Sequence, residues 1–519
     1  MAEAALPFSA DHRRGLPRLP AFAHDPWTVF AIVLALLAAL PPILARYPQM
    51  TDYPAHLARW YVMLQRGENP VLDQYYGFRW VWSGNLGADL LIFPLAKLFG
   101  LETGGRIIVI LIPVLTGLGL ITVERTLRGR VGVGSLLAMA TIWSPSLIMG
   151  FLNFNLSIAL ALFAFAFWVR SAGWKWREAI MVPIGLIVWL CHQSGWGVLG
   201  VMVFCYEWSR DRKLIRAVIA TLPLWLPLLP TLLAGSQAAG SMSYGPKPLW
   251  VKWVQWKTAM RDREGYLDIA CVILFCALPF IAMAFRKFDG RLGWAMAAMV
   301  GLSVIVPRHL GGGDYADYRL IGVALMLGAL AIDWRPSGWL TSGWLIPLIA
   351  APFLMRIAVT ALAWHSTSAE VSAMLRALKD VPRGAKVAYA FEEVVGLWPT
   401  PNYGHIGSWA TVRRDALVNC HFAIPGVHML QVKEPGWTWV DPSQRFLIRG
   451  SKRVDLTNFA PAKVADYLWY YGERPPVALP QGAVVLFGTR HSFLARLHHP
   501  QLPPKPEIAA RLANPPTSR

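Results

Sequence analysis

The sequence has few charged residues for its length. Asp, Glu, Lys and Arg make up 15% of its 519 residues, whereas 55% are hydrophobic. Because about a quarter of the residues in an average soluble protein are charged, this composition excludes an ordinary soluble domain as the main part of the chain. The 25 Trp and 39 Pro residues are typical of a membrane protein with aromatic residues at the bilayer interfaces and interrupted helices.

Acidic residues are scarce relative to basic ones. The 49 Lys and Arg exceed the 30 Asp and Glu, which gives a net charge of +19. Much of this excess lies in short loops between apolar runs, where basic residues orient a membrane protein and contact anionic lipid. We therefore expect no nucleic-acid partner.

Cysteines are few as well. The five cysteines form no CxxC pair and no zinc-type spacing with histidine. Four lie in apolar segments, and Cys420 stands alone in the polar C-terminal part, so we predict no structural disulfide there. No decisive ligand set is visible, and we predict no metal or other cofactor.

The N-terminus lacks a signal-peptide cleavage pattern. Residues 1–26 are polar and carry Arg13, Arg14 and Arg18, so we interpret them as a cytoplasmic tail followed by an uncleaved anchor. A bilayer core requires about 20 apolar residues per helix. On this criterion we predict a polytopic α-helical membrane protein with about eleven spans, at residues 27–45, 106–123, 131–149, 154–170, 178–192, 195–208, 216–234, 266–285, 292–307, 319–333 and 339–362.

The loop charges predict the orientation. With the N-terminus inside, every predicted cytoplasmic loop is basic, as the positive-inside rule requires. Residues 86–99 are apolar, but the run is short and contains Pro94, and counting it as a span would move the basic loops outside. We predict that it is re-entrant or interfacial within a long external loop, residues 46–105, and that the C-terminus lies outside.

The C-terminal part has a different composition. Polar residues return after residue 364, with strand-like runs at 386–391 and 483–487 and helix-like stretches near 367–379 and 461–471. We predict a transmembrane domain over residues 27–364 and a small soluble, periplasmic α/β domain over residues 365–500. The Pro-rich residues 501–519 are predicted to be disordered.

Ionisable residues collect on the predicted external side, and such groups are functional candidates because burying them near a membrane is costly. Asp52 and His56 follow the first span, and an amphipathic stretch from there to Arg66 predicts a helix lying in the membrane surface. Asp52 either caps this helix ahead of Pro54 or acts as a general base, with His56 beside it.

Two further polar clusters follow helix ends. Asn153 and Asn155 lie where one span ends and the next begins, and they either cap helices or line a site. His192 lies at the outer turn of a short hairpin, where it is either a buried histidine with satisfied hydrogen bonds or a ligand contact.

Two external loops are basic. Residues 308–319 place a triple glycine among charged residues, either as a mobile ligand loop or as local ion pairing at a helix start. In residues 235–265, Lys and Arg alternate with Trp. This pattern indicates either an interfacial helix with snorkelling lysines or a cationic site for a lipid phosphate. The candidate phosphate- or substrate-binding residues are Lys252, Lys257, Arg261, His192, Arg308, His309, Asp317 and Arg319.

This layout resembles the GT-C superfamily of polytopic glycosyltransferases that use polyprenyl-phosphate sugars. An Asp lies in the first external loop, in TDYPAHLARW, and a surface helix follows it. Residues 95–150 resemble that family's run from an apolar loop segment through the next spans, with Arg106 opening a span and Ser144-Pro145 closing one. A soluble domain follows the last span.

The resemblance implies an inverting glycosyltransferase of the inner membrane. It would move a sugar from a polyprenyl-phosphate donor to a lipid, glycan or protein at the periplasmic face. Asp52 would be the catalytic base, with His56 as its partner where many members have a second acidic residue, and cations on later loops would hold the donor phosphate. The alternatives are a transporter or flippase of a lipid-linked glycan, disfavoured by the few charges inside the spans, and a non-catalytic assembly subunit.

Overall fold

A computed structural model describes residues 25–229, 242–311, 313–336, 344–394, 396, 398–450 and 452–498. Both predicted tails and parts of the predicted spans 216–234 and 339–362 lie outside these residues, apart from residues 25 and 26. The described α-helices are Pro26–Leu37, Leu40–Leu44, Tyr53–Gln65, Pro70–Tyr75, Gly87–Phe99, Leu101–Arg128, Val133–Ala138, Pro145–Ile148, Leu152–Arg170, Arg177–Cys191, Gln193–Asp211, Leu214–Thr221, Pro248–Lys257, Gly265–Ala284, Gly290–Ile305, Ala316–Leu330, Leu345–Met374, Ser408–Arg414 and Trp437–Val440.

The structure is mostly helical, and within the described ranges four helices are long and apolar enough to cross a membrane. They are Leu101–Arg128, Leu152–Arg170, Gly265–Ala284 and the helical stretch Leu345–Asp380. The predicted span 131–149 is instead broken into short helices at Ser144-Pro145, since Pro145 cannot donate a backbone hydrogen bond to a continuing helix. The count of eleven spans stays a prediction.

Charged residues from the predicted cytoplasmic loops gather at one end of the helices. Arg128 lies 2.7 Å from Glu124 and 3.5 Å from Asp289, and Arg130 lies 2.9 Å from Asp333. At the other end of the helix Leu101–Arg128, Gly105 packs against Tyr53. Tyr53 directly follows Asp52, so this end carries the polar residues that are predicted to be external. The 28 residues of this helix separate the two ends by about 40 Å.

The segment 86–99 does not cross between these ends. It forms the helix Gly87–Phe99 of 13 residues, about 20 Å long and too short for a bilayer core of about 30 Å. The backbone N–H of Leu86 donates to Leu190 O, two residues before His192, so the segment begins at the end that carries the polar clusters. It ends there too, because the next helix starts beside Tyr53.

The C-terminal part is built on one mixed sheet. Its strands are Lys386–Val394, Leu417–Val418, Phe446–Arg449, Tyr467–Tyr471, Val484–Gly488 and Ser492–Arg496. The first of these strands runs parallel to the next three, whereas the strand Ser492–Arg496 is antiparallel to both of its neighbours. The strands predicted at 386–391 and 483–487 are therefore present, with slightly shifted ends.

The predicted helix near 461–471 is wrong. Only Ala460–Lys463 is helical, as a 3-10 turn, and Tyr467–Tyr471 is a strand paired in parallel with Val387–Phe391. Its sequence, YLWYY, is rich in the aromatic residues that favour a buried strand. The stretch that looked helix-like is thus a strand whose first four residues are buried.

The helix after the first span forms as predicted, but it is not an open surface helix. Helix Tyr53–Gln65 buries nine residues, including Arg59, which bonds to the buried Asp89 at 2.6 Å. Its outer side is covered by the C-terminal part: a short strand of the same loop, Tyr76–Phe78, pairs antiparallel with Leu430–Val432. The sequence pattern alone could not show that another part of the chain covers this face.

The long helix Leu345–Met374 passes through the predicted boundary at residue 365 without a break. Beyond the membrane part, Ser368 Oγ accepts from Tyr47 N at 3.0 Å. The Glu370 carboxylate accepts from the Tyr403 hydroxyl and lies 2.7 Å from His491 Nδ1. The C-terminal part is therefore joined rigidly to the helices rather than through a linker.

Asp415 joins the first external loop to the C-terminal part. Its buried carboxylate accepts hydrogen bonds from Tyr61 at 2.8 Å and from Asn69 at 2.9 Å, and it pairs with Arg383. We predict that Asp415→Ala lowers the free energy of unfolding by about 1.5–3 kcal/mol, the cost of removing hydrogen bonds to a charged group. Asp415→Asn, which keeps the oxygen and tolerates the positive φ of 52°, is expected to lose less than half of that. Thermal unfolding in detergent measures both, and equal stability of Asp415→Ala and wild type would contradict this role.

Candidate active site

Asp52 lies at the N-terminal end of helix Tyr53–Gln65, but its side chain makes no capping hydrogen bond. The capping alternative therefore does not account for this residue. Its backbone N–H donates to Met149 O at 3.0 Å, which fixes the residue against the turn that precedes Leu152. The carboxylate is 16% exposed and faces a set of charged and polar groups.

The environment of Asp52 favours its protonated form. Burial raises the pKa of Asp52 to about 7 from 3.8, and the negative charge of Asp314 acts in the same direction. Arg445 and Arg319 oppose this shift, because a nearby cation stabilises the carboxylate. The carboxyl group thus changes charge near neutral pH, as a general base must in order to accept and release a proton.

Arg319 lies in contact with His192, and both are predicted site residues. Its guanidinium lies 2.9 Å from His192 Nε2, donates to Asp314 O at 3.1 Å and stacks over Phe151 at 4.1 Å. His192 opens the helix Gln193–Asp211 and accepts from Ser194 N at 3.0 Å. Arg319 and His192 therefore lie beside each other, and Arg319 acts electrostatically on Asp52.

The C-terminal part adds groups that the sequence did not indicate. His405 is fully buried, with Nε2 3.7 Å from Asp52 Oδ1. Arg445 is buried, donates to Pro442 O and stacks over Phe446 at 4.0 Å. Burial lowers the pKa of His405 well below 6.5, and Arg445 lowers it further.

Several buried polar atoms at this place have no protein partner among the described residues. They are Arg319 Nε, Arg445 Nε, His405 Nε2 and both side-chain atoms of Asn402. Buried polar atoms are nearly always hydrogen-bonded, and clusters of exceptions mark places where a ligand or water completes the set. No group of three or more His, Cys, Asp or Glu side chains in the described ranges is arranged to hold a metal ion.

His56 contacts the same turn as Asp52. Its Nε2 lies 3.1 Å from Gly150 O, so Nε2 carries the proton and donates to this carbonyl. Burial lowers the pKa of His56 to about 3, which keeps the ring neutral. A Cβ on Gly150 would lie 3.1 Å from Asp52 Cβ, so His56 helps to hold the glycine turn against the carboxylate.

The loop at 308–319 forms the rim of the cluster. Asp314 Oδ1 lies 3.2 Å from both Arg308 Nε and His309 Nδ1, and Arg308 stacks over Tyr315 at 4.4 Å. Arg308 is half-buried and His309 is exposed. This local ion pairing, rather than one between Asp317 and Arg319, organises the loop.

Lys252 and Asp317, two of the predicted phosphate- or substrate-binding residues, form a buried ion pair with each other. Lys252 Nζ lies 2.6 Å from Asp317 Oδ2 and also donates to Ser303 O and Val306 O at 2.8 and 2.6 Å. An ammonium group has three donors, and all three are occupied. Asp317 is fully buried and also accepts from Gln255 at 3.1 Å, so this pair fastens the helix Pro248–Lys257 to the next helices.

The outer face of that helix is apolar. Leu249, Trp250 and Trp253 are 80%, 63% and 61% exposed, and Lys257 is exposed without a hydrogen bond in the described ranges. This pattern matches the interfacial-helix alternative. Arg261, farther along, donates to Trp398 O and Pro399 O at 2.5 and 3.0 Å, which ties this loop to the C-terminal part.

The two asparagines after the short helix Pro145–Ile148 serve packing. Asn153 accepts from Ala88 N at 2.6 Å and donates to Asn85 O at 2.8 Å, and Asn155 donates to Phe151 O at 2.9 Å. Asn153 holds the start of the helix Gly87–Phe99, Asn155 bonds within its own turn and accepts from Ser146, and neither caps its own helix.

Comparisons with known proteins add one likeness. No family model and no curated protein matches the chain. Among solved structures, the chain is similar to ArnT from Cupriavidus metallidurans, solved bound to undecaprenyl phosphate, with 12% identity, a TM-score of 0.46 and coverage of 92% of this chain and 98% of that one. ArnT is a GT-C glycosyltransferase, the class that the sequence resembles.

The raised pKa of Asp52 has a consequence for stability. Between pH 3.8, where Asp52 ionises in the unfolded chain, and about 7, where it ionises in the folded chain, the folded state binds the extra proton and loses stability as pH rises. We therefore expect Asp52→Asn to unfold at a higher temperature than wild type at pH 8. The difference should shrink towards zero at pH 4. Thermal unfolding across this range tests it, and a pH-independent difference would contradict the raised pKa.

Lys252 gives a second prediction. Lys252→Met leaves the buried Asp317 carboxylate without its cation, and we expect a loss of roughly 3–5 kcal/mol in unfolding free energy. The double variant Lys252→Met/Asp317→Asn should recover most of this loss, as measured by thermal unfolding. A stable Lys252→Met protein would show that the ammonium is not needed for structure and would reopen its role as a phosphate ligand.

Proposed function

We propose that the protein is an integral membrane glycosyltransferase of the inner membrane. It moves a sugar from a polyprenyl-phosphate-linked donor to a hydroxyl of a lipid, glycan or protein acceptor at the periplasmic face. The observation that carries the proposal is the mostly buried Asp52 carboxyl, which faces His405, is acted on electrostatically by Arg445 and Arg319, and titrates near neutral pH.

Asp52 is proposed as the catalytic base. The desolvated carboxylate takes the proton of an acceptor hydroxyl, whose oxygen then attacks the anomeric carbon while the phosphate departs on the opposite side. A base with a pKa near the working pH combines a useful ionised fraction with strong proton affinity. Such a displacement inverts the configuration of the sugar.

Arg319 and Arg445 are proposed to stabilise the departing phosphate. Arg445 is buried and Arg319 is half-buried with a buried Nε; both act electrostatically on Asp52, and both have a guanidinium nitrogen without a hydrogen-bond partner among the described residues. Fixed cations in a water-poor site stabilise the charge that develops on the leaving group, and a guanidinium matches phosphate oxygens in geometry. Arg308 and His309 lie at the rim and are proposed to guide the anionic headgroup, and His192 lies beside Arg319.

The arrangement also fits an amphipathic donor. The exposed apolar faces of Pro248–Lys257 and of Gly87–Phe99, with Leu98 71% exposed, belong to the same end of the molecule as Asp52. A polyprenyl chain in the bilayer would reach the site along such surfaces while its phosphate meets the arginines.

The direct test is sugar transfer in proteoliposomes supplied with a panel of labelled polyprenyl-phosphate hexoses and pentoses. We expect Asp52→Asn to lose about 100- to 10,000-fold in kcat, as removal of a general base does. Arg445→Gln and Arg319→Gln should each lose about 100-fold or more in kcat/KM. The control Arg453→Gln, an exposed arginine of the C-terminal part that within the described ranges donates only to Pro475 O and Pro476 O, should stay within about two-fold in kcat/KM. Near wild-type transfer by Asp52→Asn would remove the proposed function in this form.

A further inference from the structure

His405 faces the catalytic carboxyl from the C-terminal part of the chain. Its Nδ1 lies 2.5 Å from Cys420 O, and a carbonyl only accepts, so Nδ1 carries the proton. In the neutral ring Nε2 is then an acceptor. This Nε2 is buried, has no hydrogen-bond partner among the described residues and lies 3.7 Å from Asp52 Oδ1.

This pairing is unfavourable unless a proton lies between the two groups. An imidazole lone pair aimed at a carboxylate repels it, whereas the same lone pair accepts a hydrogen bond from a carboxylic acid. The observed separation is too long for that bond, and a carboxyl shift of about 1 Å would close it. The geometry therefore favours Asp52 in the state that follows proton uptake.

We propose that His405 is a positioning residue that accepts a hydrogen bond from Asp52 once this carboxyl has taken the acceptor's proton. The inference deepens the proposed function and rests on it. The C-terminal part then completes the active site by stabilising the protonated base.

The proton balance is simple. The acceptor O–H bond breaks and its proton moves to Asp52, as the acceptor oxygen bonds to the anomeric carbon. The bond from that carbon to the phosphate oxygen breaks, and its electron pair stays on the phosphate. Protonated Asp52 donates to His405 Nε2, and the proton leaves to water before the next turnover.

The surroundings keep His405 neutral in this role. Asp52 is faced by Arg319, Asp314 and Arg445. His405 is faced by Arg445 and by the two histidines His421 and His56. Because the buried imidazole is surrounded by a cation and neutral rings, the proton resides on the carboxyl and not on the ring.

The test compares His405→Phe with His405→Gln in the full-length protein. Phe fills the space without an acceptor, whereas Gln keeps an acceptor oxygen at a similar reach. Without the acceptor, the pKa of Asp52 falls, since the protonated form loses its hydrogen bond and the carboxylate loses a repulsive lone pair. For His405→Phe we expect the acid limb of kcat/KM to move about 0.5–1 pH unit lower, kcat to fall about tenfold, and the donor KM to change less than two-fold. His405→Gln should restore most of kcat and the position of the acid limb.

A second readout does not depend on transfer. The stability that wild type loses as pH rises towards 7 should be smaller in His405→Phe, with its midpoint at lower pH, in thermal unfolding. An unchanged acid limb and an unchanged unfolding profile would overturn the role of His405, even if Asp52→Asn is inactive. An active Asp52→Asn protein together with a shifted unfolding profile would overturn the proposed function and leave the Asp52–His405 contact in place.

Discussion

The candidate site depends on the cost of burying one carboxyl group. Asp52 is held by its backbone against the turn at Met149 and Gly150, and its side chain is enclosed by residues from later loops and from the C-terminal part. Burial raises its pKa more than Arg445 and Arg319 lower it. Burying this carboxyl costs free energy, and the packing of the loop 46–105 against the C-terminal sheet offsets that cost.

Three connections hold that packing. The strand Tyr76–Phe78 pairs with Leu430–Val432, Asp415 bonds to two residues of the first loop, and the unbroken helix Leu345–Met374 carries the C-terminal part directly from the membrane helices. Groups separated by some 350 residues in sequence therefore meet with fixed geometry. The side chains around Asp52 are therefore held on elements whose positions are determined by packing.

The sequence predicted the long apolar helices and three residues of the candidate site. Apolar runs located the long helices, the basic loops gathered at one end as the positive-inside pattern requires, and Asp52, His192 and Arg319 fell into one cluster. Lys252 was misleading because its basic, aromatic context looks the same whether the ammonium binds a phosphate or a buried carboxylate. The partner, Asp317, is 65 residues away, and only the fold shows that the two side chains meet.

His405 and Arg445 could not be recognised in the same way. They lie in turns of a polar domain where histidine and arginine are ordinary, and no spacing relates them to Asp52. The helix Tyr53–Gln65 misled for a related reason: its amphipathic pattern indicates that one face is covered, but not that a distant domain covers the other. Local periodicity reports burial within an element and carries no information on which remote segment provides it.

The central claim is that the first external loop and the C-terminal part meet at Asp52. Thr51 Oγ1 donates to Pro401 O at 3.0 Å, and a Cβ built on Gly404 would lie 3.5 Å from Thr51 Cγ2. Because the two side-chain positions are in contact, a Thr51→Cys/Gly404→Cys protein should form an intramolecular disulfide under mild oxidation. Mass spectrometry of the linked peptides detects it. Thr51→Cys/Gly450→Cys serves as the control and should stay reduced. Failure of the first pair to link in folded protein would contradict the account.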